Sequence, residues 1–249
     1  TAAGTLISTV LIGGNCFDVT NVTSSGNPTS RGTFTNGGSN IGLDQGLVLC
    51  TGSVAVLPGP NNSGNANGGY VLTPTPDPDL APLAGGPLYD LSKIEFDFRP
   101  TSPMVSFDFV FGSDEYCEFV GQGFNDVFGF FISGPGIPGT QNIALIPSTS
   151  TPVSIDNVSH LTNSGFFVGN SNTCGFPPTN NAECQLDGWT SVFTAVANVI
   201  PCSTYHIKLA IADVGDAAYA SAVFLRANSF SAGGVANANA IYPTSAQFV

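Results

Sequence analysis

The amino-acid sequence predicts an all-β protein, an antiparallel β-sandwich of jelly-roll-like connectivity with long disulfide-stapled loops. Gly, Thr, Ser, Asn, Pro, Val and Phe are abundant, whereas charged residues make up only 9% of the chain. This mixture favours strands joined by tight turns over helices. Apolar and polar residues alternate with a period of two in several segments, and turn-forming residues separate those segments. The 249 residues are enough for one large domain with a full core.

The N-terminal part of the chain predicts short strands and a long loop. Residues 5–12 are apolar, but the run is too short for periodicity to distinguish a helix from a strand. Strands are predicted over residues 17–23 and 47–52. Residues 57–90 are rich in Pro, Gly and Asn, and we expect them to form one or two long surface loops.

The central segments carry the clearest strand pattern. Two runs place apolar residues at every second position: Ile94, Phe96 and Phe98 in the first, and Val105, Phe107, Phe109 and Phe111 in the second. Residues 126–133 are continuously apolar after Asp126, which is typical of a strand buried on both faces. These segments are predicted to form the core.

The later segments predict shorter strands and a domain boundary. Strands are expected at residues 143–146, 152–155, 189–199, 205–212 and 222–226, and residues 159–187 form a polar excursion. In the run from residue 205, we expect Tyr205, Ile207, Leu209 and Ile211 to point inward, and His206 and Lys208 to point outward. Residues 1–230 are therefore predicted to form one β-sandwich domain. Residues 231–249 then provide an Ala/Gly/Asn linker and a terminal peptide capable of forming a strand.

The charge balance excludes two classes of partner. The chain has 5 Lys plus Arg against 17 Asp plus Glu, a formal net charge of −12. Nucleic-acid binding depends on cationic contacts to phosphate, and attraction to anionic membranes depends on basic residues. We therefore expect neither kind of partner.

The cysteines predict disulfides and an oxidising compartment. Their number is even, and no CxxC pair suggests a zinc or redox motif. The easiest pair to join brackets a Pro/Asn-rich loop, and the three expected pairs are Cys174–Cys184, Cys16–Cys50 and Cys117–Cys202. Spacing alone does not prove connectivity, and six buried free thiols are the alternative.

A secreted, extracellular or cell-surface location is expected. The chain begins without Met or a basic region, as a mature product does after removal of a signal peptide. It contains no run of about 18 apolar residues that would span a membrane. Sequons at Asn21, Asn61 and Asn157 permit glycosylation.

Acidic residues predict a metal site. Four of them crowd into a turn region between two apolar strands, and two more follow the apolar run that ends at Ile211. The six predicted ligands are Asp114, Glu115, Glu118, Asp126, Asp213 and Asp216. Ca²⁺ binds six to eight oxygen ligands from carboxylates, carbonyls, amides and water, so it is the cofactor expected here. The alternative is a set of solvated turn acids.

The sequence gives little support for catalysis or for transition metals. It contains only His160 and His206 as imidazoles, and no Gly-x-Ser-x-Gly or His-Glu-x-x-His motif. A pair of carboxylates, Glu115 with Asp126 or Asp213, could perform glycoside hydrolysis. Acids spaced for Ca²⁺ imitate that pattern, so we expect the protein not to be an enzyme.

The chain resembles the choice-of-anchor L domain family of secreted bacterial surface domains. The resemblance rests on residues 16–23, 41–43, 46–52, 91–100, 107–120, 125–136, 142–147, 151–155, 187–190 and 201–216, in collinear order between residues 5 and 230. It implies an extracellular β-rich module displayed on cells. It also implies a shared cation site, because Asp114-Glu115 before Tyr and the turn from Asp213 to Asp216 match acidic positions of the family.

The family usually precedes a variable anchor, and no recognisable anchor domain follows the linker in this sequence. Either an anchor has been removed, or the terminal peptide adds as a strand to a neighbouring subunit through contacts of Ile241, Tyr242 and Phe248. Residues 5–12 could play the same part, or both ends pack on their own domain. We therefore predict a calcium-stabilised structural or adhesive surface subunit that can polymerise into a filament of identical subunits. A calcium-dependent module that binds surface glycans is the alternative, and a carboxylate-based hydrolase is a weaker third.

Overall fold

The computed structural model describes residues 2–12, 18–68, 71, 73–171, 175 and 183–230. The strands of this part are β1 (Asp18–Ser25), β2 (Arg31–Thr35), β3 (Gln45–Cys50), β4 (Leu88–Arg99), β5 (Met104–Ser113), β6 (Val127–Gly134), β7 (Ile137–Asn142), β8 (Phe167–Gly169), β9 (Gly188–Thr190), β10 (Phe193–Asn198), β11 (Tyr205–Val214) and β12 (Ser221–Arg226). The helical segments are α1 (Ala3–Thr5), the π-helical Leu6–Leu11, α2 (Ala81–Ala84) and the 3₁₀ turns Pro28–Ser30, Val54–Val56 and Ser164–Phe166. Among the helices of these residues, none has the length and apolarity to cross a membrane.

The strands form two antiparallel sheets. One has the order β1-β4-β11-β6-β7, and the other has the order β2-β3-β12-β5-β9-β8 with β10 also paired to β5. The all-β prediction with two antiparallel sheets is confirmed, while the jelly-roll connectivity stays a prediction. The predicted strand at residues 94–98 is part of the longer β4, which begins at Leu88 because the chain pairs with β11 as far as Val214.

The main core lies between the sheets and is rich in Phe. Phe96 and Phe98 of β4, in one sheet, and Phe107 and Phe109 of β5, in the other, belong to one buried cluster. The inward residues predicted for β4, β5 and β11 are buried, so the period-two alternation is confirmed for those positions. Full burial of a side chain of this size stabilises the fold by about 1.5–3 kcal/mol.

Both sheets are also covered on their outer faces. Phe128, Phe130 and Ile132 of β6 lie in the main core, whereas Val127 and Phe131 pack in a second cluster that includes Leu80 and Ala84. The prediction that β6 is buried on both faces is confirmed. A third cluster, with members Val48, Val110, Trp189 and Phe224, covers the other sheet.

Lys208 corrects one prediction. Its position on β11 faces away from the main core, as expected, but the residue is only 5% exposed. The loop before β4 folds over this outer face, and Lys208 Nζ lies 2.7 Å from Asp77 Oδ1 and pairs also with Asp79. Asp77 Oδ1 accepts the backbone N–H of Leu80 at 3.1 Å as well. Lys208 was predicted to lie at the surface, but it is part of a buried ion pair that holds the loop on the sheet.

The N-terminal segment packs on its own domain. Residues 3–11 are helical, and Leu6, Ile7 and Leu11 are buried in the main core. The backbone N–H of Phe230 donates to Leu11 at 3.3 Å, and Ile12 and Phe230 form a parallel bridge. The structure therefore settles the helix-or-strand choice, and in it residues 5–12 are not exchanged as a strand.

Candidate functional site

The predicted acids lie where several strand ends meet. β5 ends at Ser113, which pairs with Ser221 at the start of β12 and with Gly188 at the start of β9. In the other sheet, Val127 at the start of β6 pairs with Ala212 near the end of β11. Turn carbonyls and carboxylates collect at such an end because the ladder no longer uses them. The acidic residues that follow β5 and β11 therefore lie at neighbouring strand ends.

Asp114 and Glu115 are adjacent in sequence but point to different neighbours. The residues that act electrostatically on Asp114 are Asp187 and Glu118. Those that act on Glu115 are Asp126, Asp216 and Asp156. The structure therefore divides the predicted acidic site into two groups. We name Glu115, Asp126, Asp213 and Asp216 the junction cluster, and Asp114 with Asp187 the loop-side pair.

Asp126 is the centre of the junction cluster. Its Oδ1 accepts the backbone N–H of Val214 at 2.9 Å, and its Oδ2 accepts the hydroxyl of Ser221 at 2.6 Å. Its carboxyl group is also hydrogen-bonded to that of Asp213. Asp126 thus ties the start of β6 to the end of β11 and the start of β12.

Two carboxyl oxygens of the junction cluster have no partner. Glu115 Oε2 and Asp213 Oδ1 are buried without a hydrogen bond. Glu115 is 1% exposed and Asp213 is 3% exposed. All five Lys and Arg residues of the chain lie in the described part, and none forms an ion pair with this cluster. A buried charged oxygen without a partner is costly, so this cluster is short of positive charge.

The electrostatics of the cluster reflect that shortage. Burial, followed by the charge of Asp126, raises the pKa of Glu115 to about 11. Burial raises the pKa of Asp126 to about 7 despite the hydrogen bond from Ser221. Burial and the neighbouring Asp126 raise the pKa of Asp213 well above its ordinary value. Each carboxylate is thus unfavourable in its charged form unless a cation neutralises it.

The loop-side pair joins β5 and β9 to the loop before β4. Asp114 Oδ2 accepts the backbone N–H of Ala66, and the backbone N–H of Asp187 also donates to Asp114. Asn61 Nδ2 donates to Asp187 Oδ1 at 2.7 Å. Burial, followed by the charge of Asp187, raises the pKa of Asp114 to about 8, and burial raises that of Asp187 to about 6.

Sequence reasoning did not find Asp187 as a site residue. It is 0% exposed, and it directly precedes β9, opposite the end of β5. An acid at the entry to a short strand is a usable signal, but its pairing with Asp114 depends on a contact between distant segments. Asp156, which acts electrostatically on Glu115, was missed for the same reason.

The other predicted ligands have peripheral positions. Glu118 is exposed, and it acts electrostatically on both members of the loop-side pair. Asp216 is half-buried, and its Oδ1 accepts the backbone N–H of Ala218 at 2.9 Å. Within the described residues, no three His, Cys, Asp or Glu side chains are arranged to hold a metal ion. A cation here would therefore need main-chain or water oxygens besides two carboxylates.

The three predicted disulfide pairs are wrong in this structure. Cys50, Cys184 and Cys202 are free, and each belongs to a different predicted pair. Cys117 is disulfide-bonded, and Cys16 and Cys174 lie outside the described residues. The loop that Cys174 and Cys184 bracket is thus not closed by that pair.

Geometry explains why Cys117 and Cys202 do not pair. Cys202 follows β10, and its N–H bonds to Pro100 just before β5, whereas Cys117 follows the other end of β5. A ten-residue strand spans about 33 Å, far beyond disulfide reach.

The carboxylates proposed for hydrolysis are closed to substrate in this structure. Glu115 is 1% exposed and Asp126 is 0% exposed. A cavity of about 430 Å³ lies elsewhere, with Phe34, Asn36, Asn40 and Glu183 among its lining residues. The predicted polymer contacts Ile241, Tyr242 and Phe248 lie outside the described residues.

The fold and the site together define an acidic β-sandwich with buried carboxylate groups at one end. The match to known families makes the assignment specific: the chain belongs to the choice-of-anchor L domain family, whose model matches residues 1–231. The membership indicates a surface-associated bacterial protein and confirms the family recognised from the sequence. No curated protein and no solved structure matches the chain.

Proposed function

We propose that this domain is a structural or adhesive subunit of the bacterial surface, secreted from the cell, and that Ca²⁺ stabilises its acidic strand junction. The observation that carries the cation proposal is Glu115 Oε2, a buried oxygen without a partner. It lies in the field of Asp126 and Asp216, and no Lys or Arg pairs with them. A divalent cation bound by Glu115 and Asp216, with main-chain and water oxygens, would offset that charge.

The size of the effect follows from desolvation. Each buried, unpaired carboxylate costs several kcal/mol, of order 3 or more after relaxation. A cation that binds only the folded state stabilises it by about 2.7 kcal/mol when its concentration is 100 times the dissociation constant. The domain without cation is therefore expected to fold less stably at neutral pH, and extracellular calcium would restore its stability.

The test is thermal unfolding of the full chain in calcium and in EDTA. We expect EDTA to lower the midpoint of the wild-type protein and to lower that of Glu115→Gln by less, because this variant lacks one charged ligand of the junction cluster. Asp44→Asn, which removes an exposed acid elsewhere, serves as the control and should respond to EDTA like the wild type. An unchanged wild-type midpoint after chelation would remove the calcium proposal.

Assembly into a filament is the second part of the proposal. It is supported by the sequence of residues 231–249, in which an Ala/Gly/Asn linker precedes a strand-forming peptide with Ile241, Tyr242 and Phe248. Such a peptide can add to the edge of a neighbouring sheet, and repeated head-to-tail contacts give open filaments. Negative-stain microscopy of calcium-loaded wild-type protein should show fibres. A variant in which Ile241, Tyr242 and Phe248 are all replaced by Ser should form none. Monomeric wild-type protein at high concentration would contradict the filament.

A glycan-binding role is the second candidate, and the cavity near β2 favours it. Phe34 offers a ring, and Asn36, Asn40 and Glu183 offer polar groups in a space of about 430 Å³. None of the acids of the junction cluster lines this cavity, so a glycan bound there is expected to stay bound in EDTA. A glycan array with wild-type protein and Phe34→Ala, each with and without chelator, tests this role. Equal binding by both proteins would exclude the cavity.

A further inference from the structure

The loop-side pair is a second buried group of carboxylates, separate from the junction cluster. Asp114 is 1% exposed and Asp187 is 0% exposed. Asp114 directly follows β5, and Asp187 directly precedes β9, so two neighbouring strand ends fix their backbones. The two carboxylates act on each other electrostatically. No ion pair reaches either of them from the Lys and Arg residues, all of which the structure describes.

Each carboxylate has one satisfied oxygen and one without a partner. Asp114 Oδ2 accepts from Ala66, Asp187 Oδ1 accepts from Asn61, and the side chain of Ser171 is also hydrogen-bonded to Asp187. Asp114 Oδ1 and Asp187 Oδ2 are buried and have no hydrogen bond. Native structures rarely leave such oxygens unsatisfied, and two of them on neighbouring acids point to a missing positive ligand.

The loop of residues 61–66 lies beside the pair. Gly64 lies against the open oxygen, since a Cβ built on it would be 3.8 Å from Asp187 Oδ2. The Gln185 side chain fastens this loop by donating to Asn61 Oδ1 at 3.1 Å and to the Ser63 carbonyl at 2.7 Å. Main-chain carbonyls in a turn are typical partners of carboxylates at calcium sites. The exposed Glu118 adds negative charge nearby that would attract a cation.

We propose that Asp114 and Asp187 bind a second hard divalent cation, with Ca²⁺ the best suited, and that this ion fastens the loop of residues 61–66 to the ends of β5 and β9. The site goes beyond the proposed function, because it uses a different pair of carboxylates and would exist even if the junction cluster bound nothing. Its effect is local: the ion orders the loop and adds to hydrogen bonds such as those of Asn61 and Gln185.

The experiment counts bound ions by native mass spectrometry of the full chain in CaCl₂. Wild-type protein should bind two ions, Asp187→Asn should bind one, and Glu115→Gln should bind one. Asp44→Asn should bind two. If Asp187→Asn binds as many ions as the wild type, the second site is overturned. If Glu115→Gln alone keeps the wild-type count, the junction proposal fails and the loop-side site stands.

Hydrogen exchange of the wild-type chain keeps the proposal testable if Asp187→Asn does not fold. Adding CaCl₂ should slow amide exchange in residues 61–66, including the N–H of Ala66 that donates to Asp114. In Glu115→Gln the same slowing should persist. Exchange in residues 61–66 that does not respond to CaCl₂ in either protein would overturn the loop-side site.

Discussion

At the residue scale, the stability of this domain depends on which neighbours each acid meets. Asp114 and Glu115 are consecutive, yet one faces Asp187 and the other faces Asp126. The crowding of acids near residue 115 is visible in the sequence, so a charged strand junction could be predicted. The division into two groups could not, because it depends on Asp187 and on the side to which each side chain turns after β5 ends.

Asp77 gives a prediction with a defined pH dependence. Burial alone would raise its pKa, but Lys208 and the backbone N–H of Leu80 outweigh burial and hold the pKa below its usual value. Asp77→Asn should therefore destabilise the protein by about 3 kcal/mol at neutral pH, because it leaves a buried lysine with one partner fewer. The contribution is fully present above the unfolded-state pKa of about 3.9 and is lost as the pH falls through the folded-state pKa.

Urea unfolding of wild type and Asp77→Asn at several pH values measures this difference. The gap between the two proteins should be large at neutral pH and small at about pH 2. A gap that does not change with pH would mean that the charge of Asp77 is not the source of its contribution to stability.

The free cysteines differ in reactivity. Cys202 is exposed, whereas Cys50 and Cys184 are buried, and burial raises the pKa of Cys184 to about 12. Iodoacetamide should therefore label Cys202 in the native protein and reach the two buried thiols only after unfolding. Peptide mass spectrometry without reduction measures the labelling. Detection of Cys50 or Cys184 in a disulfide would contradict the structure.

At the scale of elements, the strands that alternate between core and surface were predictable, and segments covered by loops were not. β4, β5 and β11 follow the period of two because their inner faces meet the same Phe-rich core. The outer face of β11 looked solvent-exposed, since a sequence does not show that the loop with Asp77 folds over it. The conformation of residues 3–11 was ambiguous from the sequence, because a short apolar run fits a helix or a strand. The packing of this segment against the sheets decides between the two.

The N-terminal segment gives the element-scale prediction. Ile7 is 0% exposed and Ser8, the next residue, is exposed. Ile7→Ala should lower the free energy of unfolding by about 2–5 kcal/mol through the lost contacts and the remaining cavity. Ser8→Ala should change it by less than about 0.5 kcal/mol. Denaturant unfolding of both variants checks this, and equal stabilities would show that the segment is not part of the core in solution.

At the scale of the whole molecule, one aromatic side chain connects the two sheets. The ring of Phe230 lies 5.1 Å from that of Phe98 in β4 and 5.7 Å from that of Phe107 in β5. Both contacts are within the usual range for aromatic pairs, which contribute about 0.5–1.5 kcal/mol beyond burial. The last described residue is thus as central to the core as any strand residue.

Phe230→Ala should therefore lower the free energy of unfolding by about 3–5 kcal/mol. Val196→Ala should lower it by much less, because Val196 is 46% exposed. Thermal and denaturant unfolding of the two variants compare them directly. Similar midpoints for both variants would contradict the packing of Phe230 between the sheets.

The position of Phe230 also has a mechanical consequence. Any tension that reaches the domain through residues 231–249 is borne first by a residue whose ring is locked between two sheets and whose N–H is bonded to Leu11. A force applied there would have to extract this aromatic ring from the close-packed core before it could separate β12 from β3 and β5. The packing of Phe230 therefore resists extraction of the chain from the core at this position.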